Sequence, residues 1–313
     1  MEMNDVSDDL TILMASYEGE EFLGPQIESF ANQDATNIHL VVSDDSKSDR
    51  TRNALYQIIQ SVPKIDLQYA AGPQKGFAEN FRSLLLNCTP KTDFIAFSDQ
   101  DDIWLADKTQ RSINWLRKQP SHVPALYCGR TRMIDREGHD IGRLSPLFSR
   151  VPAFENALVQ SIAGGNTMTM NRAAFDILKR SLSRAAPVSH DWWAYIMVSG
   201  SGGVVKYDQE PLTLYRQHGG NLIGENRSYL ARAARLRMVV DGTWRRWQDR
   251  HIELLDDNIE QLTSEARATL QSFKHARLRS PLGRLNWLRQ SGVWRQTRAG
   301  TVSLYVASLM GRL

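Results

Sequence analysis

From residue 10 to about residue 135, short apolar runs alternate with longer stretches in which apolar positions recur at helical spacing. The strings TILMASY, IHLVVSDD, LQYAAG, FIAFSDQDD and ALYCGRTRMID read as strands. Between them, the stretches around Phe22 to Asn32, Thr51 to Ser61, Phe77 to Leu86 and Ala106 to Lys118 read as amphipathic helices. This rhythm predicts an α/β fold, a largely parallel sheet with helices on both faces. Ligands of such sheets gather at the carboxyl ends of the strands, which is where SYE, SDD and SDQDD fall.

The stretch from Arg136 to about Gln160 reads as a turn followed by an irregular surface segment, a plausible acceptor-side loop. GGNTMTMNRAAFDIL then predicts a strand and a helix, HDWWAYIMVSG a helix, and GGVVKYDQEPLTLYRQH a strand, a turn and a strand. These complete a first domain over residues 1–225. Residues 226–313 form a helical, basic extension rich in Arg and Trp, with no Asp or Glu after Glu265.

With 313 residues, 42% of them hydrophobic, the chain can bury a full core, and global disorder is excluded. The net charge of +3 is too small to demand nucleic acid. Cys88 and Cys128 lie in no CxxC or Cys/His cluster, so neither a disulfide framework nor a zinc site is expected. The acidic start MEMNDVSDDL does not resemble an export signal, and no apolar run approaches the roughly 18 residues of a membrane span. A cytoplasmic protein is expected, with a peripheral position on the inner face of the plasma membrane as an option.

In Ser98-Asp99-Gln100-Asp101-Asp102-Ile103-Trp104, three carboxylates at a strand end repel one another unless a cation sits among them. Mg²⁺ or Mn²⁺ suits such oxygen ligands and would clamp a diphosphate. The plainer alternative is an acidic loop that caps the next helix. Asp45, in Asp44-Asp45-Ser46, could accept a hydrogen bond from a pyrimidine imide, while Ser48 or Asp49 caps the helix that follows. The loop Ser16-Tyr17-Glu18 could set the Tyr17 ring against a base, or simply pack it. In Gly72 to Asn80, a glycine turn opens a helix whose free N–H groups near Lys75 could draw a diphosphate, although such turns are commonly structural. Asp191, beside His190 and two tryptophans, is a candidate base; alternatively it opens a helix whose indoles fill the core. His218 follows a strand and opens a glycine loop, so it could reach back to the ion.

Taken in order, SYE, SDDSKSD, GFAENF, SDQDDIW, GGNTMTMNRAAF, HDWW and YRQHGGN resemble the family 2 glycosyltransferases, especially the rhamnosyltransferase-type members of bacterial polysaccharide pathways. The match spans about residues 10 to 222. It implies the GT-A nucleotide-diphospho-sugar transferase fold, a mixed and mainly parallel central sheet flanked by helices, here with a C-terminal helical extension. By that resemblance Asp45 reads the base, Asp99 is the first Asp of the DxD motif near ribose and metal, and Asp101 binds the metal. Asp191 takes the place of the catalytic base, His218 that of a metal ligand, and Ser16, Tyr17, Lys75 and Asn80 stand in the donor-binding segments. Two positions depart from the pattern: Ser46 replaces the usual Gly, and His190-Asp191 replaces a Glu-Asp pair.

The implied reaction is a single inverting displacement. Its donor would be dTDP-L-rhamnose, or alternatively a UDP-hexose or UDP-N-acetylhexosamine, and its acceptor a hydroxyl of an O-antigen- or capsule-type glycan, lipid-linked in some pathways. Other readings are a non-catalytic carbohydrate-binding or scaffold protein, and a nucleotidyltransferase, which would need a basic glycine-rich loop where SYEGEEF is acidic. In the tail, Tyr229, Leu230, Ala233, Leu236, Val240, Trp244 and Trp247 recur at helical spacing among arginines. This face would dock on anionic lipid, or pack on the catalytic domain or a second subunit.

Overall fold

A computed structural model describes residues 9–35, 37–218, 237–278 and 280–313. Strands β1 (Leu10–Ser16), β2 (Ile38–Asp44), β3 (Ile65–Ala71) and β4 (Phe94–Ser98) run parallel in the order β3-β2-β1-β4. Central β1 and β4 are covered on both faces, so nearly every residue in them is buried, whereas edge strand β3 is mostly exposed. The connecting helices are α1 (Leu23–Ala31), α2 (Arg50–Ile59) and α3 (Phe77–Asn87).

The sheet continues with β5 (Ile103–Trp104), β6 (Ala125–Ile134), β7 (Asp140–Leu144), β8 (Thr169–Asn171) and β9 (Val204–Arg216). Its second half is mixed: β8 pairs antiparallel with β4 and β6, β9 runs parallel to β6 and antiparallel to β5, and β7 forms a hairpin with β6. Helices α4 (Lys108–Leu116), α5 (Phe154–Ala157), α6 (Arg172–Ser181) and α7 (His190–Gly200) complete this part.

Alternation along β1 divides two cores. Leu10, Ile12 and Met14 face one layer with Ile27, Phe30, Leu40 and Trp104, while Leu13 faces the other with Phe81, Phe97, Phe175 and Trp193. The second layer runs on into the C-terminal helices α8 (Thr243–Asp257), α9 (Ser264–Leu278), α10 (Pro281–Ser291) and α11 (Arg298–Leu309) through Leu255, Phe273, Leu288 and Leu304. Trp192 of α7 meets His251 edge-on at 4.6 Å and lies 5.5 Å from Trp244. Part of the tail's tryptophan face is thus packed on the sheet-bearing half. Residues Tyr229 to Leu236 of that expected helix, and the 225/226 boundary, lie outside the described residues.

Three local expectations need correction. The turn expected in GGVVKYDQEPLTLYRQH is a bulge within the single strand β9: pairing with β6 jumps from Gly129↔Asp208 to Thr131↔Thr213, and the Asp208 carboxylate accepts the Glu210 N–H at 3.0 Å. The segment read as irregular contains the β7 hairpin and α5. Asp49 stands at the cap position of α2, yet neither it nor Ser48 makes the expected capping bond; Asp49 pairs with Arg52 at 3.1 Å.

Candidate active site

β1 and β2 end side by side, and their parallel register places Ser16 opposite Asp44. The Asp44 carboxylate is saturated: it accepts the Ser16 hydroxyl at 3.0 Å, the Ser46 hydroxyl at 2.6 Å and N–H at 3.1 Å, and the Tyr69 hydroxyl at 3.1 Å. Ser46 in turn accepts the Glu18 N–H at 2.7 Å, which gives the residue that departs from the family pattern a bridging task between two loops. Asp45 is buried and accepts two backbone donors, Gln74 N–H at 2.9 Å and Gly76 N–H at 3.1 Å. The glycine turn therefore spends two of the N–H groups expected to be free near Lys75 on holding Asp45. Lys75 itself is exposed at the start of α3.

Asn80 is buried beneath this turn; its amide donates to the Ser43 carbonyl at 2.9 Å and the Ser16 carbonyl at 3.4 Å. A Cβ on Gly72 would fall 2.2 Å from Asp45 Oδ1 and 3.0 Å from Asn80 Oδ1, so only glycine lets the third strand end approach this carboxylate. Ser16, Asp45 and Asn80 thus form one cluster. The Tyr17 ring beside it is 54% exposed, as a stacking platform must be.

A second cluster lies at the end of β4. Gln100 joins the two, because its side-chain amide accepts the Tyr17 N–H at 2.8 Å and donates to the Tyr17 carbonyl at 3.0 Å. His218 Nε2 lies 2.6 Å from Asp101 Oδ2, with its ring stacked on Phe22 at 4.8 Å. Asp102, fully buried, accepts the Asn166 amide and the Arg216 N–H, the latter at 3.1 Å. Arg216 returns a bond from Nε to the Asp101 carbonyl at 2.8 Å. These contacts fix the end of β9, and with it His218, against the loop of residues 99–102. Lys108 is buried 4.1 Å from the Trp104 ring centroid, and among the described residues its ammonium has no hydrogen-bond partner. Burial pushes it down to about 7, against the opposing pull of Asp102.

Burial, then the charges of Asp101 and Asp191, push Asp99 up to about 7. The ring of His190, next to Asp191 in the chain, packs edge-on at 4.9 Å from Phe97 of β4. Asp191 stands in the first turn of α7, where its Oδ1 accepts the Trp192 N–H at 2.6 Å. Both tryptophans are buried: Trp193 donates to the Ser181 hydroxyl at 2.8 Å and Trp192 to the Ala157 carbonyl at 2.7 Å. They anchor the helix that carries the carboxylate, as the core-filling alternative expects. His190 is buried and stacks on Phe81 at 3.5 Å; burial pushes it down to about 4, leaving a neutral ring.

A Cβ on Gly165 would fall 2.0 Å from His190 Nε2. Gly165→Ala is therefore expected to force that ring off Phe81 and destabilise the fold by about 1–3 kcal/mol, read from urea unfolding. Little change would mean that the ring has room elsewhere.

The donor set suits a divalent ion that shares its ligands with substrate. Asp101 and His218 offer an oxygen and a nitrogen donor side by side, 2.6 Å apart, and are the residues that would hold the ion. Among the described residues no group of three His, Cys, Asp or Glu side chains forms a complete cage. Diphosphate oxygens and water would fill the remaining positions, the usual arrangement for Mg²⁺. The sequence signals for Gln100, Asn166, Phe22 and Arg216 as supports were absent, since none is chemically distinctive in its own segment.

Solved structures with the same architecture include S. aureus TarS in complex with UDP-GlcNAc (TM-score 0.52, 15% identity, 90% of this chain and 89% of that one). Another is the mannosyltransferase PcManGT from Pyrobaculum calidifontis in complex with GDP-Man and Mn²⁺ (TM-score 0.53, 14% identity, 98% and 88%). At these identities the likeness establishes the GT-A fold alone. Among curated proteins, the chain is 27% identical over 246 residues to the dTDP-rhamnosyl transferase RfbG of Shigella flexneri, covering 74% of this chain and 81% of that protein. It is 34% identical over 110 residues, 35% of its length and 41% of the relative, to the UDP-Glc:alpha-D-GlcNAc-diphosphoundecaprenol beta-1,3-glucosyltransferase WfgD of Escherichia coli. The profile described as "Glycosyl transferase family 2" matches residues 11–178, more than half of the sequence. On that match the chain belongs to glycosyl transferase family 2.

Proposed function

We propose that this glycosyltransferase moves L-rhamnose from dTDP-L-rhamnose to a glycan hydroxyl with inversion, in assembly of a cell-surface polysaccharide. The single observation that carries the reading is the pairing of Asp101 with His218 at the carboxyl end of β4, with Asp99 in the same loop and α7, which carries Asp191, packed through His190 on Phe97 of that strand. The choice of sugar is supported by the likeness to RfbG over most of both chains. A UDP-linked hexose is the second reading, favoured by the shorter match to WfgD.

In this scheme Asp45 accepts the imide N–H of thymine or uracil with lone pairs that Gln74 and Gly76 leave over. Tyr17 stacks on the base, Ser16 and Asn80 shape the pocket floor, and Lys75 faces the diphosphate. Mn²⁺ or Mg²⁺ held by Asp101 and His218, with Asp99 alongside, would supply the charge that offsets the departing diphosphate. Asp191, its plane fixed by the Trp192 N–H, takes the acceptor proton through Oδ2 as the acceptor oxygen bonds to the anomeric carbon. The bond from that carbon to the diphosphate oxygen breaks on the opposite face, so configuration inverts. The acceptor is read as lipid-linked, met at the inner face of the plasma membrane.

Thermal shift with Mn²⁺ and a panel of nucleoside diphosphates tests the donor. A ligand at about a hundredfold excess over its Kd stabilises by about 2.7 kcal/mol, so dTDP should raise the melting temperature and EDTA should remove the rise. A larger shift with UDP would transfer the assignment to the second reading, and a shift indifferent to EDTA would contradict the metal site.

A further inference from the structure

We infer that the outward face of α11 is a docking surface for an anionic phospholipid bilayer. The inference deepens the reading of a membrane-presented acceptor and rests on it only for its purpose; the transfer chemistry stands or falls separately. Helix α11 has two apolar sides. Leu304, Ala307 and Ser308 face the protein core, while Val302 (63% exposed), Val306 (49%), Leu309 (39%) and Met310 (60%) face solvent at the spacing of a single stripe. With Thr301 and Tyr305, Val302, Val306 and Leu309 line an open groove of about 440 Å³ flanked by Arg150 and Arg298. The Arg150 guanidinium rests on the Trp294 ring, 3.5 Å from its centroid.

Charge decides the occupant. After Glu265 the chain contains nine Lys or Arg and no Asp or Glu, and both charged residues lining the groove are arginines. A second copy seated on the same face would set Arg150 and Arg298 against their equivalents. Anionic headgroups would instead neutralise them while the stripe enters the acyl boundary. No helix among the described residues is long and apolar enough to cross a membrane, so α11 would lie in the plane of the interface.

Co-sedimentation of the full chain with phosphatidylcholine vesicles, with and without phosphatidylglycerol, tests the inference. Partition is expected to be at least about tenfold stronger with phosphatidylglycerol and to weaken in high salt. Val302→Glu with Val306→Glu should lose at least about tenfold in binding, and Val302→Ser with Val306→Ser a smaller part, because the latter pair removes apolar surface without adding repulsion. Both pairs should retain donor hydrolysis, which reports an intact fold and separates failure of docking from failure of the enzymatic reading. Equal partition into both vesicle types, or unaltered binding by the variants, would overturn the inference. So would light scattering that finds a wild-type dimer and a monomeric Glu variant, since the face would then belong to a second copy.

Discussion

Asp191→Asn is expected to lower kcat by about 10²- to 10⁴-fold, the usual contribution of a positioned general base. The amide keeps the size of the carboxylate and can still accept the Trp192 N–H, so α7 should keep its buried tryptophans and its place in the fold. Donor affinity and the Mn²⁺ dependence should therefore survive while turnover collapses, a pattern that steady-state kinetics resolve as a fall in kcat at nearly constant donor KM. Asp99 is the neighbouring carboxylate whose charge bears on the same region. Activity within about tenfold of wild type in Asp191→Asn would move the base role elsewhere, with Asp99 the first alternative to examine.

Asp101→Asn is expected to be comparably severe for a different reason. The side chain would keep its contact with His218 but lose the negative charge that a divalent ion needs, and stabilisation of a leaving diphosphate is worth several kcal/mol, about a 10³-fold loss or more. Titrating Mn²⁺ into the variant should show a half-activating concentration shifted upward by at least about tenfold. His218→Ala should fall between wild type and Asp101→Asn, because it removes a neutral ligand and its stacking on Phe22 without removing charge. An Asp101→Asn enzyme as active as the wild type, with or without EDTA, would contradict this order.

How legible the molecule was in its sequence follows from which signals are local. The parallel strands were readable within a residue or two because Leu10–Ser16 and Ile38–Asp44 are apolar runs that end in polar groups, and α1 and α3 followed from helical spacing. β5 has two residues and β8 three, too few to show a period. The insertion of β8 between β4 and β6, which makes the sheet mixed, is a long-range pairing that no local pattern encodes. Asp208 to Pro211 carries turn chemistry, yet it is a bulge, because pairing with β6 resumes beyond it and pairing with β5 begins there.

The same division holds in the site. Asp45, Asp99 and Asp101 stood out because carboxylates clustered at strand ends are conspicuous in any one segment. Their supports did not. Gln100 reaches Tyr17 across 83 positions, Asn166 reaches Asp102 across 64, and Arg216 reaches the Asp101 carbonyl across 115. The occupation of the glycine-turn N–H groups by Asp45 was equally hidden, since it depends on how β2 and β3 end side by side.

The central claim is that a divalent ion sits between Asp101, His218 and the diphosphate of a sugar nucleotide. Anomalous diffraction from crystals soaked with Mn²⁺ and dTDP tests it directly. The account predicts a manganese peak within bonding distance of Asp101 Oδ2 and His218 Nε2 and of diphosphate oxygens, with the base beside Asp45. A nucleotide bound with no metal between it and Asp101, or manganese found only elsewhere on the chain, would contradict it.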